Sequence, residues 1–307
     1  MSRAGKQHTE RKKHAADGSC EVWTTRQRRQ RRELGQNFLK HEKTARKVVR
    51  EAGVTGQDLV VEIGAGSGAL TLPLAEEARR VIAIERDPRW ASRLKRSLAE
   101  RENVEVVVAD ALSAPLPDEP FRVVASVPFH LTTAILHRLL DDPARPVERL
   151  HLLLQKEVTN KLARTTPTTL KTLTWSPWWR FAADHLVPAS AFDPKPEVDA
   201  RLVVVEKRSP PLVAYEHREL FRAFVRSAFD SPGNTVSKAL RPYFTKRQIR
   251  RLARDNGFFT GSFTSQLTVH QWAAVFGFAV RAVPRHRWPR SPKNDIRGRS
   301  SGRKGRG

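Results

Sequence analysis

The sequence predicts an α/β protein, a doubly wound sheet followed by a small all-helical C-terminal domain, with basic, disordered tails at both ends. Three observations carry that expectation. Near-continuous apolar strands alternate with amphipathic helices between residues 44 and 156, the rhythm of a parallel sheet covered on both faces. After "SPPL" the apolar residues recur at helical spacing instead. Both ends are Arg-rich and too poor in apolar residues to fold alone.

Each element has its own signal. "TARKVVREAG" reads as an amphipathic helix closed by Gly53, and "DLVVEIGAG" as a buried strand running into glycines. "ALTLPLAEEA" is helical, "RVIAIER" a second strand and "PRWASRLKRSLAE" a second helix. "VEVVVAD" and "FRVVAS" are strands three and four, a helix starts at Leu131, and "RLHLLLQK" is strand five. "LVVVEKR" is expected to close the sheet on its far side. Leu220, Phe221, Phe224, Val225, Ala228 and Phe229 mark a first C-terminal helix, "KRQIRRLARDNG" a second and "VHQWAAVFGFAV" a third. The expected division is a tail over 1–32, the sheet domain over 33–208, the helical domain over 209–280 and a tail over 281–307.

Charge is the loudest compositional feature: 56 Lys+Arg against 32 Asp+Glu, net +24. Residues 1–32 carry +7 and residues 279–307 carry +9, which leaves +8 for the middle. Such tails suit electrostatic gripping of nucleic-acid phosphates, although a solubilising tail or a bias towards Arg would look the same. No run approaches the roughly 18 apolar residues of a membrane span. The N-terminus has no apolar core of a secretory signal. The single cysteine, Cys20, allows no intrachain disulfide, and no Cys/His cluster has zinc spacing. These features predict a reduced, cytoplasmic protein with neither a metal nor a membrane partner.

The chemistry concentrates at strand ends. Gly64, Gly66 and Gly68 form a turn between a strand and a helix, where backbone can approach a ligand and offer N–H donors. Glu85 closes the next strand, 17 residues after Gly68, where a carboxylate can accept both hydroxyls of a ribose. Together they fit any nucleoside cofactor, but the spacing leans away from NAD and lacks the Lys-Ser/Thr of a phosphate-binding loop. Asp110 ends the third strand as an acceptor for an adenine amine, or as a helix-capping aspartate. Ser126 sits one strand further on, and Pro128 stiffens the turn so that Phe129 projects into the same crevice. Chemistry on an exocyclic base amine calls for this arrangement. The amine lone pair is delocalised, so acceptors on its hydrogens favour the pyramidal geometry needed for attack on a methyl sulfonium, while a stacked ring holds the base.

"LGQNFL" (34–39), "EIGAGSGAL", "AIERD", "ADAL", "SVPF", "LQKEV" and "FDPKPEVDARL" occur in the order found in ribosomal RNA adenine dimethyltransferases. Within that group the chain resembles most the erythromycin-resistance methyltransferases, from about Arg32 to about Val280. The resemblance implies a Rossmann-like methyltransferase sheet, S-adenosylmethionine as cofactor and a monomer acting on large-subunit ribosomal RNA, protein-free or early in assembly. By position, Gln36, Asn37 and Leu39 would close over the methionine end, with Gly64 and Gly66 beneath. Glu85 would hold the ribose, Asp110 and Ala111 the adenine, and Ser126 would border cofactor and target base alike. The target adenine would stack on Phe129 with Phe192 near its other face, and 209–280 would contact RNA. One position departs from the family pattern: Ser126 stands where Asn is usual. Serine keeps an acceptor but loses the amide's reach and its paired donor; the intact cofactor motifs argue that the enzyme tolerates this. The rival readings are a small-subunit dimethyladenosine transferase, which shares nearly every motif, and a non-catalytic RNA-binding protein on a relict methyltransferase fold.

Overall fold

The computed structural model describes residues 37–166 and 169–289. Gln36, the N-terminal tail and residues 290–307 of the C-terminal tail lie outside the described residues.

Alternation along the strands sorts the apolar side chains onto two faces, and each face gathers its own helices. β2 (Leu59–Ile63) lies parallel to β3 (Arg80–Glu85) on one side and β5 (Phe121–Ser126) on the other. β4 (Val104–Val108) extends the sheet beyond β3, and β6 (Val147–Gln155) beyond β5, all parallel. One face buries Val60, Val81 and Val124 under α1 (Glu42–Ala52), α2 (Thr71–Glu77) and α3 (Pro88–Ser97). Gly53 ends α1 in the left-handed conformation, φ 57°, as its sequence position predicts. Asp87 caps α3 by accepting the Arg89 N–H at 2.9 Å. The opposite face buries Val61, Val123 and Leu152 under Ile135 and Leu139 of α4 (Thr132–Leu140).

The far side of the sheet differs from expectation. β9 (Ala200–Lys207), read as the closing strand, is inserted antiparallel between β6 and β7 (Trp179–Val187), and β7 is the edge. The burial explains the placement: Leu202, Val203 and Val205 of β9 are fully buried, whereas β7 alternates with Arg180, Asp184 and His185 and is interrupted by a bulge. Polar side chains and a bulge are tolerated at an edge. Two short helices between β6 and β7, α5 (Lys156–Leu162) and α6 (Leu170–Trp175), also escaped the sequence pattern. So did a two-stranded ladder in which β1 (Phe38–Leu39) pairs with β8 (Phe192–Asp193).

Past the sheet come α7 (Arg218–Phe229), α8 (Val236–Leu240), α9 (Lys246–Asp255) and α10 (Val269–Ala282). They share one apolar cluster with a sheet face rather than building a second core. The bridge is aromatic: Trp178 meets Phe221 edge-on at 5.8 Å, and Phe221 meets Phe276 at 5.2 Å. The packed chain continues past residue 281, where the tail was expected to begin. There the Trp288 ring lies 5.8 Å from Phe276, and its indole N–H donates to the Val283 carbonyl at 3.0 Å.

Because Phe221 joins sheet and helices, Phe221→Ala should cost about 3–5 kcal/mol. Chemical denaturation followed by far-UV dichroism and by tryptophan fluorescence should show one shifted transition. Two separated transitions would mean that the helices and the sheet fold independently.

Candidate active site

The strand order reverses between β2 and β5, and there the chain leaves two successive strands in opposite directions. Neither crossover covers the gap, so a crevice opens at the carboxyl ends of these strands. The glycine turn after β2 and the Ser-Val-Pro-Phe segment after β5 form its two lips. A Cβ on Gly64 would lie 3.8 Å from Pro128 Cδ and 3.9 Å from the Ser126 carbonyl oxygen.

The crevice is a cavity of about 340 Å³, a size typical of small-molecule sites. It brings together Asn37, Leu39, Gly64, Glu85, Asp110, Ala111, Ser126, Phe129 and Phe192. These positions, spread over more than 150 residues, were singled out as site residues from the sequence. Gly66 is not among the lining residues. Its N–H donates to Glu85 Oε2 at 2.8 Å, and a Cβ there would fall 2.1 Å from the ring of Phe38. Gly66 therefore lets Phe38 close over the turn and spends its donor on Glu85. Its φ of 53° is a further reason for glycine.

Glu85 is almost fully buried, and burial pushes its pKa up against the hydrogen bonds it accepts. Its second oxygen accepts the Asp87 N–H at 2.8 Å. Each oxygen retains a lone pair, so a ribose diol can still bind a carboxylate that is already fixed in place. Asp110 caps no helix; it closes a turn at the rim of the cavity. Its Oδ1 accepts the Leu112 N–H at 2.8 Å in a turn, and its carboxylate also faces the cavity, with Arg86 at 4.0 Å. Ile84, Ala109, Ala111 and Leu131 supply apolar walls beside it. This donor set fits S-adenosylmethionine: a buried acceptor for a diol, an acceptor for an adenine amine, and apolar lining in the same cavity.

On the other lip Ser126 ends β5, and Phe129 opens a 3₁₀ turn that leads into α4. Phe129 is half-buried against the α1–α3 face. Phe192 is 1% exposed, held by the β1–β8 ladder as a packed wall of the cavity.

Phe38 and Glu62 are among the lining residues that the sequence reading did not single out. The Phe38 ring lies tilted against Trp90 with centroids 5.1 Å apart and roofs the glycine turn; a two-residue strand gives no periodic signal. Glu62 is an acid inside the otherwise apolar β2, an anomaly that could have been flagged. Its carboxylate accepts the Thr71 hydroxyl at 2.6 Å, and burial raises its pKa to about 8, helped by the nearby Glu85 charge. Among the described residues, Glu51, Asp184 and His185 bring ligand-type atoms within 4.8 Å of one another. None of the three lines the cavity, and His185 Nδ1 lies against Glu51 Oε2.

A folded-state pKa above the unfolded value means stability is present at low pH and lost as pH rises. For Glu62 that loss should build between pH 4.5 and pH 8 and then level off. Glu62→Gln cannot ionise, so its melting temperature should pull ahead of the parent's across this window. Parallel melting profiles would show that Glu62 titrates normally.

Comparison with known proteins places the chain. A family model described as ribosomal RNA adenine dimethylase matches residues 27–279. The mycinamicin-resistance protein MyrB of Micromonospora griseorubida is 34% identical over 80% of this chain and 78% of its own. The ribosomal RNA small subunit methyltransferase A of Geobacillus thermodenitrificans is 36% identical over 67% of this chain and 74% of its own. The crystal structure of the 23S rRNA methyltransferase ErmE superposes with a TM-score of 0.70 at 29% identity, covering 78% of this chain and 98% of that one. Family match, relatives and crevice geometry agree, and the chain belongs to the ribosomal RNA adenine dimethylase family.

Proposed function

We propose that this chain methylates the exocyclic amine of one adenine in large-subunit (23S) ribosomal RNA and so gives macrolide-lincosamide-streptogramin B resistance. The coarser statement rests on family membership: it is an S-adenosylmethionine-dependent rRNA adenine-N6 methyltransferase. The finer one is supported by the likeness to MyrB and to ErmE. The observation that carries the reading is that the nucleoside-type pocket and the Ser126–Phe129 segment line one continuous cavity.

S-adenosylmethionine, when bound, supplies an electrophilic methyl group on a sulfonium. The protein's part is placement. Glu85, pre-set by the N–H groups of Gly66 and Asp87, holds a ribose. Phe129 stacks on the target base, and Pro128, with φ −55°, fixes the turn that presents the ring. The Ser126 hydroxyl and a neighbouring backbone carbonyl accept the amine hydrogens and turn its lone pair towards the methyl group. The amine sheds its extra proton after transfer, so Ser126 orients and no strong base is required. The protein is read as a monomer acting in the cytoplasm on RNA not yet covered by ribosomal proteins, gripped in part by residues 209–280.

Mass-spectrometric mapping of methylated adenines in ribosomes from expressing cells should find the new methyl group in the large-subunit RNA. Methylation of small-subunit RNA alone would move the chain to the housekeeping reading.

A variant series tests the placement. Phe129→Ala should cost roughly 1–3 kcal/mol of transition-state stabilisation, with cofactor affinity hardly changed and Phe129→Tyr mild. Ser126→Ala should lower turnover more than RNA affinity, and Ser126→Asn should be active. A Phe129→Ala protein that melts early yet turns over normally, or a Ser126→Ala protein at full rate, would mean the segment is structural.

A further inference from the structure

Glu51 near the end of α1, and Asp184 and His185 on the edge strand β7, bring their ligand-type atoms together outside the cavity. Three enclosed atoms of this group, Glu51 Oε2 and both ring nitrogens of His185, have no hydrogen-bond partner among the described residues. Glu51 Oε1 lies 3.6 Å from Lys47, and the Asp184 carboxylate has no ion pair among the described residues. The His185 side chain is 12% exposed. Enclosed polar atoms without partners are rare in folded proteins, and a bound ion is one of the few things that satisfies them.

The local backbone explains how two neighbouring side chains reach one point. Successive residues of a regular strand point to opposite faces. From Ala183 to Leu186, however, three steps along β7 match two along β9, and the extra residue of this bulge lets Asp184 and His185 both approach α1. Arg201 braces the bulge: its Nε donates to the Asp184 carbonyl at 2.7 Å and its Nη1 to Asn160 Oδ1 at 2.9 Å. His151 shares the face, in the row His151–Val204–Ala182 across three strands. It is 1% exposed, and its Nδ1 is also enclosed without a partner. No sequence spacing announces the group, because α1 and β7 meet only in the fold.

We propose that Glu51, Asp184 and His185 bind a divalent metal ion of the zinc class, which clamps the end of α1 to the bulged edge of the sheet. Zinc ligands stand about 2.0–2.2 Å from the ion, so any two are at most about 4.4 Å apart. A set already within 4.8 Å needs only small side-chain rotations. One imidazole and two carboxylates suit zinc and its neighbours better than magnesium or calcium, which favour oxygen alone. A dication also balances the two carboxylates. A plain His–Glu hydrogen bond does less: it uses Nδ1 alone, leaves Nε2 enclosed and keeps Asp184 beside a second carboxylate. Burial is the largest influence on the His185 ring and holds its pKa down against the pull of Glu51 and Asp184, so the ring keeps a lone pair to offer. Three protein ligands leave a fourth position for water.

The test uses the full chain, freed of metal with a chelator and titrated with Zn²⁺ alone. Binding should raise the melting temperature by about 5 °C at roughly 100 times the Kd. Co²⁺ in its place should give a visible absorption band. Glu51→Gln and Asp184→Asn keep the side-chain shape and remove a charged ligand. Each should lose the shift and the band, yet melt no earlier than the parent in chelator, because each relieves a carboxylate that lacks a partner. His185→Ala should lose both signals as well. His137→Ala, whose ring lies against Asp141 instead, should keep both. A parent whose melting Zn²⁺ does not shift overturns the proposal. So does a shift that persists in Glu51→Gln and His185→Ala, which would mean adventitious binding by others of the ten histidines.

Discussion

The reversal of strand order between β2 and β5 is the constraint on which the rest depends. A right-handed crossover must lie over the face its strand leaves, so two strands leaving in opposite directions cannot both roof the gap between them. Everything chemically interesting falls into that gap. The glycine turn enters from one side and the Ser-Val-Pro-Phe turn from the other, within van der Waals reach of each other. The parallel strands fix the relative height of these two turns without any loop having to find the geometry.

A second layer closes over this frame. The β1–β8 ladder ties two segments far apart in the chain, reinforced by the Lys40 N–H donating to the Ala191 carbonyl at 2.9 Å. It places Phe38 above the glycine turn and Phe192 in the wall. The turn answers by having no side chain at Gly66, and Glu85 ties it to the end of β3. Three motifs that look independent in the sequence are thus one mechanical unit.

The burial pattern also leaves room for Ser126 where the resemblance leads one to expect asparagine. The lip is shaped by Pro128, by the β5–β6 ladder up to Leu153 and by packing of the 3₁₀ turn, none of which uses an amide side chain. A hydroxyl can therefore replace the amide without moving Phe129. The two faces of the sheet divide the labour. The α1–α3 face backs the glycine turn, and the α4 face merges through Trp178 and Phe221 with the C-terminal helices.

Local pattern was enough for most elements. Continuous apolar runs specify β2 to β6, helical spacing specifies α1 to α4, α7, α9 and α10, and Gly53 ends its helix because left-handed backbone suits glycine. The acceptors Glu85, Asp110 and Ser126 were legible because strand ends in an alternating α/β chain fall on one edge of the sheet. What the sequence left out has in common that its cause is non-local. β7 is too polar and too interrupted to announce itself, and becomes a strand because β9 offers an unpaired edge. β1 and β8 are two residues each and exist only as partners. Phe38 over Gly66 and Glu62 under Thr71 are contacts made across the fold. The sequence by itself determined which residues carry polar chemistry at strand ends; tertiary packing decided which of them share a cavity, because pairing across many residues is fixed by the free energy of the whole sheet and not by any one segment.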